Sequence, residues 1–555
     1  MRLFFLILAC TVLCRGYADS WATKTLEQMT VDEKIAQLFM VAGYVDLNFS
    51  ELETKKRDLL AQTDSFISQY GIGGIGLVGP SSSVLQVAFC NRYQQRAKYP
   101  ILIAQDLEWG LSMRLTDGFR FPKNSTLGAV RDDQLIYEMG REIARQGRLV
   151  GVHMNLSPVL DININPENPV INVRSFGGSP QNVATKGIAM IRGLRDGSMI
   201  ASAKHFPGLG DISVDPHLDL PSNTHDSKRL ETVELYPFEK AIAAGVQSIQ
   251  TEHVSMPALE PDATIPASLS PRIVQNLLKD KMKFQGLVIS GALRMEALTK
   301  YFSQEEIAVK AFLAGNDMLL MPQDLIVAFH AIRQALQEGK IHIEQIDERV
   351  LKILKLKEQV GLEKKRLVEV PTLELLHTDE AKALKYKLYD QAISVVRDEN
   401  AHLPIKQARG QAAALVQIGD ASSSVFLDAV KEQLNIDQIM LPLDFDASSE
   451  QVALLEKYPL IILSVFPADP RRIAQIRLLN KERQIEELSQ FRVHGLPKGI
   501  VDFVSQLKRL HKKTVVCYFG NPFGLEFFSD FSTLIMGYED DEIAQQVVGK
   551  LAFSS

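Results

Sequence analysis

Cysteine, tryptophan and long apolar runs are scarce in this chain. Among 555 residues there are four cysteines and two tryptophans. Cys10 and Cys14 lie in an N-terminal apolar stretch, which leaves Cys90 and Cys517 at opposite ends of the remainder. A disulfide framework would need more partners at closer spacing, so two buried thiols are expected instead. No Cys/His cluster has zinc spacing, and neither a metal nor a cofactor is expected. An excess of one charge is also missing: 61 Lys+Arg stand against 67 Asp+Glu, a net charge of −6. That balance gives no electrostatic reason to expect nucleic acid or an anionic membrane surface as partner. The apolar run from Leu3 to Cys14 is too short for a membrane span, which takes roughly 20 residues. With Arg2 before it and Gly16 and Ala18 after it, the run reads as a secretory leader over residues 1–18, so an exported protein, periplasmic or extracellular, is expected. Cys10 follows Ile7-Leu8-Ala9, a faint likeness to a lipoprotein acylation site, but with a very short apolar run before it. A soluble exported protein is preferred.

What is present is a globular composition, 46% hydrophobic and 23% charged. The length suits a large domain followed by a smaller one. From Ile35 to Pro322 short apolar runs alternate with amphipathic stretches. The runs are Ile35–Ala42, Gly74–Val78, Ile101–Ala104, His153–Val159, Ile200–Ala203, Val246–Gln250, Gly286–Ile289 and Asp317–Leu320. Between them lie helical patterns such as Gln134–Gln146 and Pro180–Asp196. This alternation predicts an α/β fold, a (β/α)8 barrel over 19–365, because inner strands of such barrels read as continuous apolar runs. Residues 366–391, with the charged Glu363-Lys364-Lys365-Arg366 just before them, are expected as a linker. Ala413–Ile418, Leu460–Val465 and Thr514–Phe519 then predict a three-layer α/β/α sandwich over 392–555.

Polar residues follow the apolar runs directly: Gln105-Asp106-Leu107-Glu108, Asp161, Lys204-His205, Glu252-His253 and Met321-Pro322-Gln323. In a barrel these positions form the C-terminal rim, where such folds keep their active sites. Single polar residues there would be loop caps; carboxylates, Lys and His converging from five strand ends point to chemistry.

The segment Lys204-His205-Phe206-Pro207-Gly208-Leu209-Gly210-Asp211, continuing to Asp215-Pro216-His217, resembles the K-H-F-P-G-H-G-D-T-x-x-D-S-H signature of glycoside hydrolase family 3 in its β-N-acetylglucosaminidase branch. Met29–Phe39, Ala104–Gly110, Asn155–Asp161 and Asn168–Phe176 resemble further landmarks, and Ala392–Pro404 with Phe519–Phe523 resemble the second domain of two-domain members. The resemblance implies a retaining hydrolase of terminal β-N-acetylglucosaminides, in peptidoglycan fragments or chitin oligosaccharides. It implies Asp215 and His217 as an acid–base dyad, a role His suits because its pKa lies near working pH. It implies Lys204, His205 and Asp106 as groups that bind sugar hydroxyls, with Arg114 and Arg174 as basic residues of the same pocket.

The chain also departs from the family pattern. The nucleophile is expected in a motif such as S-D-D-L-x-M, and here the chain reads Ser290-Gly291-Ala292-Leu293-Arg294-Met295. Gly291 has no oxygen for attack on the anomeric carbon, and losing a nucleophile costs up to roughly 10⁶ in turnover. Glu296, five residues on, is expected in the next helix and away from the sugar. Leu209, Pro216 and Trp109 stand where the pattern has His, Ser and Gly. With the binding set kept and the nucleophile gone, a catalytically inactive sugar-binding protein on the same fold is the alternative reading.

Overall fold

The computed structural model describes residues 20–45, 64–406, 412–443, 452–468 and 495–554. The leader expected over 1–18, with Cys10, lies outside the described residues. No helix among the described residues is long and apolar enough to cross a membrane.

The chain divides into two compact units. One comprises the chain up to Asn124 together with Asp133–Lys382; the other comprises Ser125–Asp132 and the chain from Ala383 on. In the first unit, β1 (Phe39–Tyr44), β2 (Gly74–Val78), β3 (Leu102–Gln105), β4 (Met154–Asn155), β5 (Ile200–Phe206), β6 (Ser248–Thr251), β7 (Leu287–Ile289) and β8 (Leu319–Leu320) form one sheet in the order β7-β6-β5-β4-β3-β2-β1-β8. Every pairing is parallel. A parallel bridge between Ile289 and Met318 joins the two ends, closing the sheet into a barrel. Inside it Met40, Ala104, Met154, Ile200, Leu287, Ile289 and Leu320 pack together. A separate apolar shell, including Phe39, Ile75, Ile103, Phe312 and Phe329, lies between strands and helices. Burial on both sides explains why these strands read as unbroken apolar runs rather than alternating ones.

One run divides differently from expectation. Ile35 belongs to the helix Val31–Gln37, and the first strand starts only at Phe39. Thr30 and Glu33 form a capping box, each side chain bonded to the other's backbone N–H, so the first turn is satisfied as helix. Ile35 and Ala36 are that helix's buried face, and apolarity alone does not mark the change of period.

The second unit contains a six-stranded sheet, β11-β10-β12-β13-β14-β9, from β9 (Ser394–Asp398), β10 (Ala413–Ile418), β11 (Ile436–Leu441), β12 (Leu460–Val465), β13 (Lys513–Tyr518) and β14 (Thr533–Met536). It is parallel except for β9, which pairs antiparallel to β14 at the edge. The side chains of β10 alternate between two cores: Ala414, Val416 and Ile418 face Phe503 and Leu507, whereas Ala413 and Leu415 face Phe426 and Val548. That alternation makes three layers. Residues 366–391, expected as a linker, instead carry the helices Leu373–Leu376 and Asp379–Ala392. The reason is packing: Leu388 and Tyr389 are fully buried, and Tyr389 belongs to the core of the second unit. Cys90 and Cys517 are both free and buried, and burial pushes the Cys90 thiol up to about 12.

Candidate active site

The C-terminal ends of β3 to β7 bring together most of the expected residues. Asp106 follows β3 and is half-buried. Its Oδ1 accepts a hydrogen bond from Lys204 Nζ at 2.7 Å and its Oδ2 accepts one from Arg114 Nη2. Glu108, two residues on, is completely buried. It receives Arg174 through Nε at 3.0 Å and Nη2 at 2.6 Å, and Lys204 Nζ at 2.8 Å. One lysine thus sits between two carboxylates, and the second carboxylate also takes a guanidinium fork. Burial pushes both acids up, but the cations outweigh it: Lys204 and then Arg114 hold Asp106 far below the usual carboxylate range. Arg174 and then Lys204 hold Glu108 down to about 2. Both carboxylates are therefore ionised at neutral pH.

His205, the last residue but one of β5, is tied to Asp161, which is itself fully buried. Its Nδ1 lies 2.6 Å from Asp161 Oδ2, and its Nε2 lies 3.5 Å from Arg174 Nη2. These partners assign the proton to Nδ1 and leave Nε2 as the acceptor. Asp161 Oδ1 also takes the Leu209 N–H at 2.6 Å, so one carboxylate orients both the histidine and the following loop. Asp161→Asn would turn an amide N–H₂ toward one of these donors. We expect about 1–3 kcal/mol of lost stability, read as a lowered midpoint in chemical denaturation; an unmoved midpoint would deny Asp161 this role.

Asp215 and His217 stand on the loop after β5. The His217 ring donates from Nδ1 to Asp215 Oδ1 at 2.8 Å, and the same oxygen accepts the His217 backbone N–H at 2.9 Å. The His217 side chain is 66% exposed, and its Nδ1 is the ring nitrogen that Asp215 engages. The hydrogen bond to Asp215 raises the His217 pKa against the opposing effect of partial burial, and the charges of Asp215 and Glu252 add to the rise.

The departures also have places. Gly291 is buried at the end of β7. Leu209 is 1% exposed and Pro216 is buried. Trp109 is half-buried with Lys123 Nζ 5.9 Å over its ring. Glu296 opens the helix Glu296–Thr299 and pairs with Lys300 at 3.3 Å. Glu108 and Asp161 were visible in the sequence only as strand-end acids. Their full burial beside basic side chains is what gives them weight, and that is a tertiary property. Among the described residues one group of three, Asp211, His225 and Glu234, has ligand-type atoms within 4.8 Å of one another. Arg229 already supplies a cation there, 3.2 Å from Glu234 and 3.9 Å from Asp211.

A set of this kind, partly open at Asp106, Arg114 and Arg174, can grip the hydroxyls of a polar ligand through charge-assisted hydrogen bonds. It also offers a histidine for proton transfer beside them. The glycosyl hydrolase family 3 N terminal domain matches residues 30–356. A β-N-acetylglucosaminidase/β-glucosidase from Cellulomonas fimi is 28% identical over 399 residues, 70% of this chain and 68% of that protein. β-Hexosaminidase A from Pseudoalteromonas piscicida is 30% identical over 330 residues, 53% of this chain, and the match spans 55% of that relative's length. Among solved structures, a glycoside hydrolase family 3 β-N-acetylglucosaminidase from Paenibacillus superposes with a TM-score of 0.75 at 27% identity, covering 95% of this chain and 97% of that one.

Proposed function

The chain belongs to glycosyl hydrolase family 3, and on that premise we propose that its rim pocket binds the terminal N-acetylglucosamine of β-linked chains such as chitin oligosaccharides or peptidoglycan fragments. The observation that carries this reading is the hydrogen-bonded network of Asp106, Lys204, Glu108, Arg174, His205 and Asp161. Asp106 is 20% exposed, and a carboxylate has more acceptor sites than its two basic partners use, so it has capacity left for sugar hydroxyls. Lys204 and Arg174 donate to the ring's oxygens while remaining neutralised. His217, oriented by Asp215, is the proton donor to the glycosidic oxygen in the first half of a retaining reaction and the base that activates water in the second.

A second reading, binding without turnover, has one observation in its favour: Gly291 stands where the resemblance expects the nucleophile and brings no carboxylate. Calorimetric titration with N-acetylglucosamine and with chitobiose tests what both readings share. Binding is expected, weakened about 10–100-fold in Asp106→Asn, which loses a charge-assisted contact. Failure of the unmodified protein to bind either sugar sinks the assignment.

A further inference from the structure

Gly291 is a glycine for reasons of space. Its backbone is outside the left-handed region, so conformation does not demand it. A Cβ built there would lie 2.6 Å from Glu252 Oε1 and 2.9 Å from both Cε1 and Nε2 of His253. The distance to Oε1 is comparable to that between an aspartate's own Cβ and its carboxylate oxygens. Strand register explains the meeting: β6 and β7 pair Gln250 with Ile289, and two further residues along each strand bring Glu252 level with Gly291.

Glu252 is buried, at 5% exposure, and firmly placed. Its backbone N–H donates to Phe206 O at 2.8 Å, its carbonyl accepts from Ser268 N at 3.1 Å, and its Oε1 accepts the His253 N–H at 2.8 Å. His253 is fixed in turn, with Nε2 donating to Ala292 O at 3.0 Å and Nδ1 accepting from the Ser268 hydroxyl at 2.7 Å. Burial lowers the His253 pKa, so the ring is a neutral wall. Glu252 Oε2 makes no hydrogen bond among the described residues. The Glu252 charge is also among the causes that raise the His217 pKa.

We propose that Glu252, from the end of β6, supplies the carboxylate that Gly291 lacks and acts as the catalytic nucleophile. This rests on the glycosidase reading above and completes it. Glu252 Oε2 attacks the anomeric carbon and forms an ester bond. The bond to the glycosidic oxygen breaks, its electron pair stays on that oxygen, and the proton comes from His217 Nε2. Water then gives a proton to His217 Nε2 while its oxygen attacks the anomeric carbon, and the ester breaks to return the carboxylate.

The test is an assay on 4-nitrophenyl N-acetyl-β-glucosaminide combined with sugar titration and peptide mapping of the quenched, unmodified protein. Turnover is expected, with kcat about 10³–10⁶-fold lower in Glu252→Gln while N-acetylglucosamine still binds. An N-acetylglucosaminyl adduct is expected on the peptide carrying Glu252. Gly291→Ala, whose methyl group needs the space of Oε1, should lose kcat without losing sugar affinity. Undiminished turnover in Glu252→Gln overturns the proposal, as does an adduct on another residue. An unmodified protein that binds N-acetylglucosamine without turning over overturns the nucleophile and leaves the sugar-binding reading standing. One that neither binds nor turns over removes both. Should Glu252→Gln not fold, the adduct on the unmodified protein decides.

Discussion

Replacing Lys204 with Met is expected to cost about 3–5 kcal/mol of stability at neutral pH and to abolish sugar binding. Its side chain is 3% exposed, and its ammonium lies 2.7 Å from Asp106 and 2.8 Å from Glu108, which is completely buried. A methionine fills much the same volume but leaves the two carboxylates facing each other with one fewer cation. Arg114 and Arg174 remain, one on each acid, so the site is under-neutralised rather than bare. The pH dependence follows from the direction of the shifts. Asp106 and Glu108 have folded pKa values below their unfolded ones, so their stabilising contribution is present above the ordinary carboxylate range. It is lost as pH falls through the folded values, toward about 2 for Glu108. In Lys204→Met those values climb back, and the penalty narrows below about pH 4, where a carboxyl can escape by protonation. Urea denaturation of both proteins at pH 7 and at pH 4 measures this. An equal loss at both pH values would mean that Lys204 contributes through packing alone.

The second large effect concerns the dyad. His217→Ala is expected to lower kcat/KM by about 10²–10⁴-fold, the usual worth of a positioned general acid. Asp215→Asn is more informative because it leaves the imidazole in place. The first half-reaction needs His217 protonated, so kcat/KM falls as pH rises through the His217 pKa. Asp215 raises that pKa first through its hydrogen bond and then through its charge. With Asn the basic limb of the profile should therefore move to lower pH, since the neutral amide holds the proton less firmly. The His217 side chain is 66% exposed, so His217→Ala should not change the thermal midpoint appreciably. A basic limb that stays where it was would deny Asp215 its role in tuning the acid.

The two substitutions also separate parts of the site that differ in how far the sequence reveals them. Asp215 and His217 are two residues apart, and their hydrogen bond closes within one short loop, so a local motif suffices to find it. Lys204, Asp106 and Glu108 come from two strand ends, and their motifs mark them as rim residues. That one ammonium serves both acids depends on β3, β4 and β5 standing side by side. Asp161 is similar: it was legible as a strand-end acid, but its hold on His205 Nδ1 and on the Leu209 N–H appears only when β5 and the Asp161 segment meet.

The sequence by itself determined the eight-strand alternation, the helix Pro180–Asp196 to its last residue, the sandwich strands Ala413–Ile418 and Leu460–Val465, and the family. Each of these is written in short-range periodicity or contiguous motif, because burial imprints its period on neighbouring residues. Tertiary structure decided what periodicity does not encode. It set the division of Ile35–Ala42 into helix and strand, where a capping box outweighs an apolar run. It assigned Ser125–Asp132 to the second unit, where the Thr126 hydroxyl donates to Glu539 at 2.8 Å. It also brought Glu252 to Gly291. In the sequence these are a rim acid and a missing nucleophile 39 positions apart. Only the register of β6 against β7 brings the carboxylate of the first to the space the second leaves open.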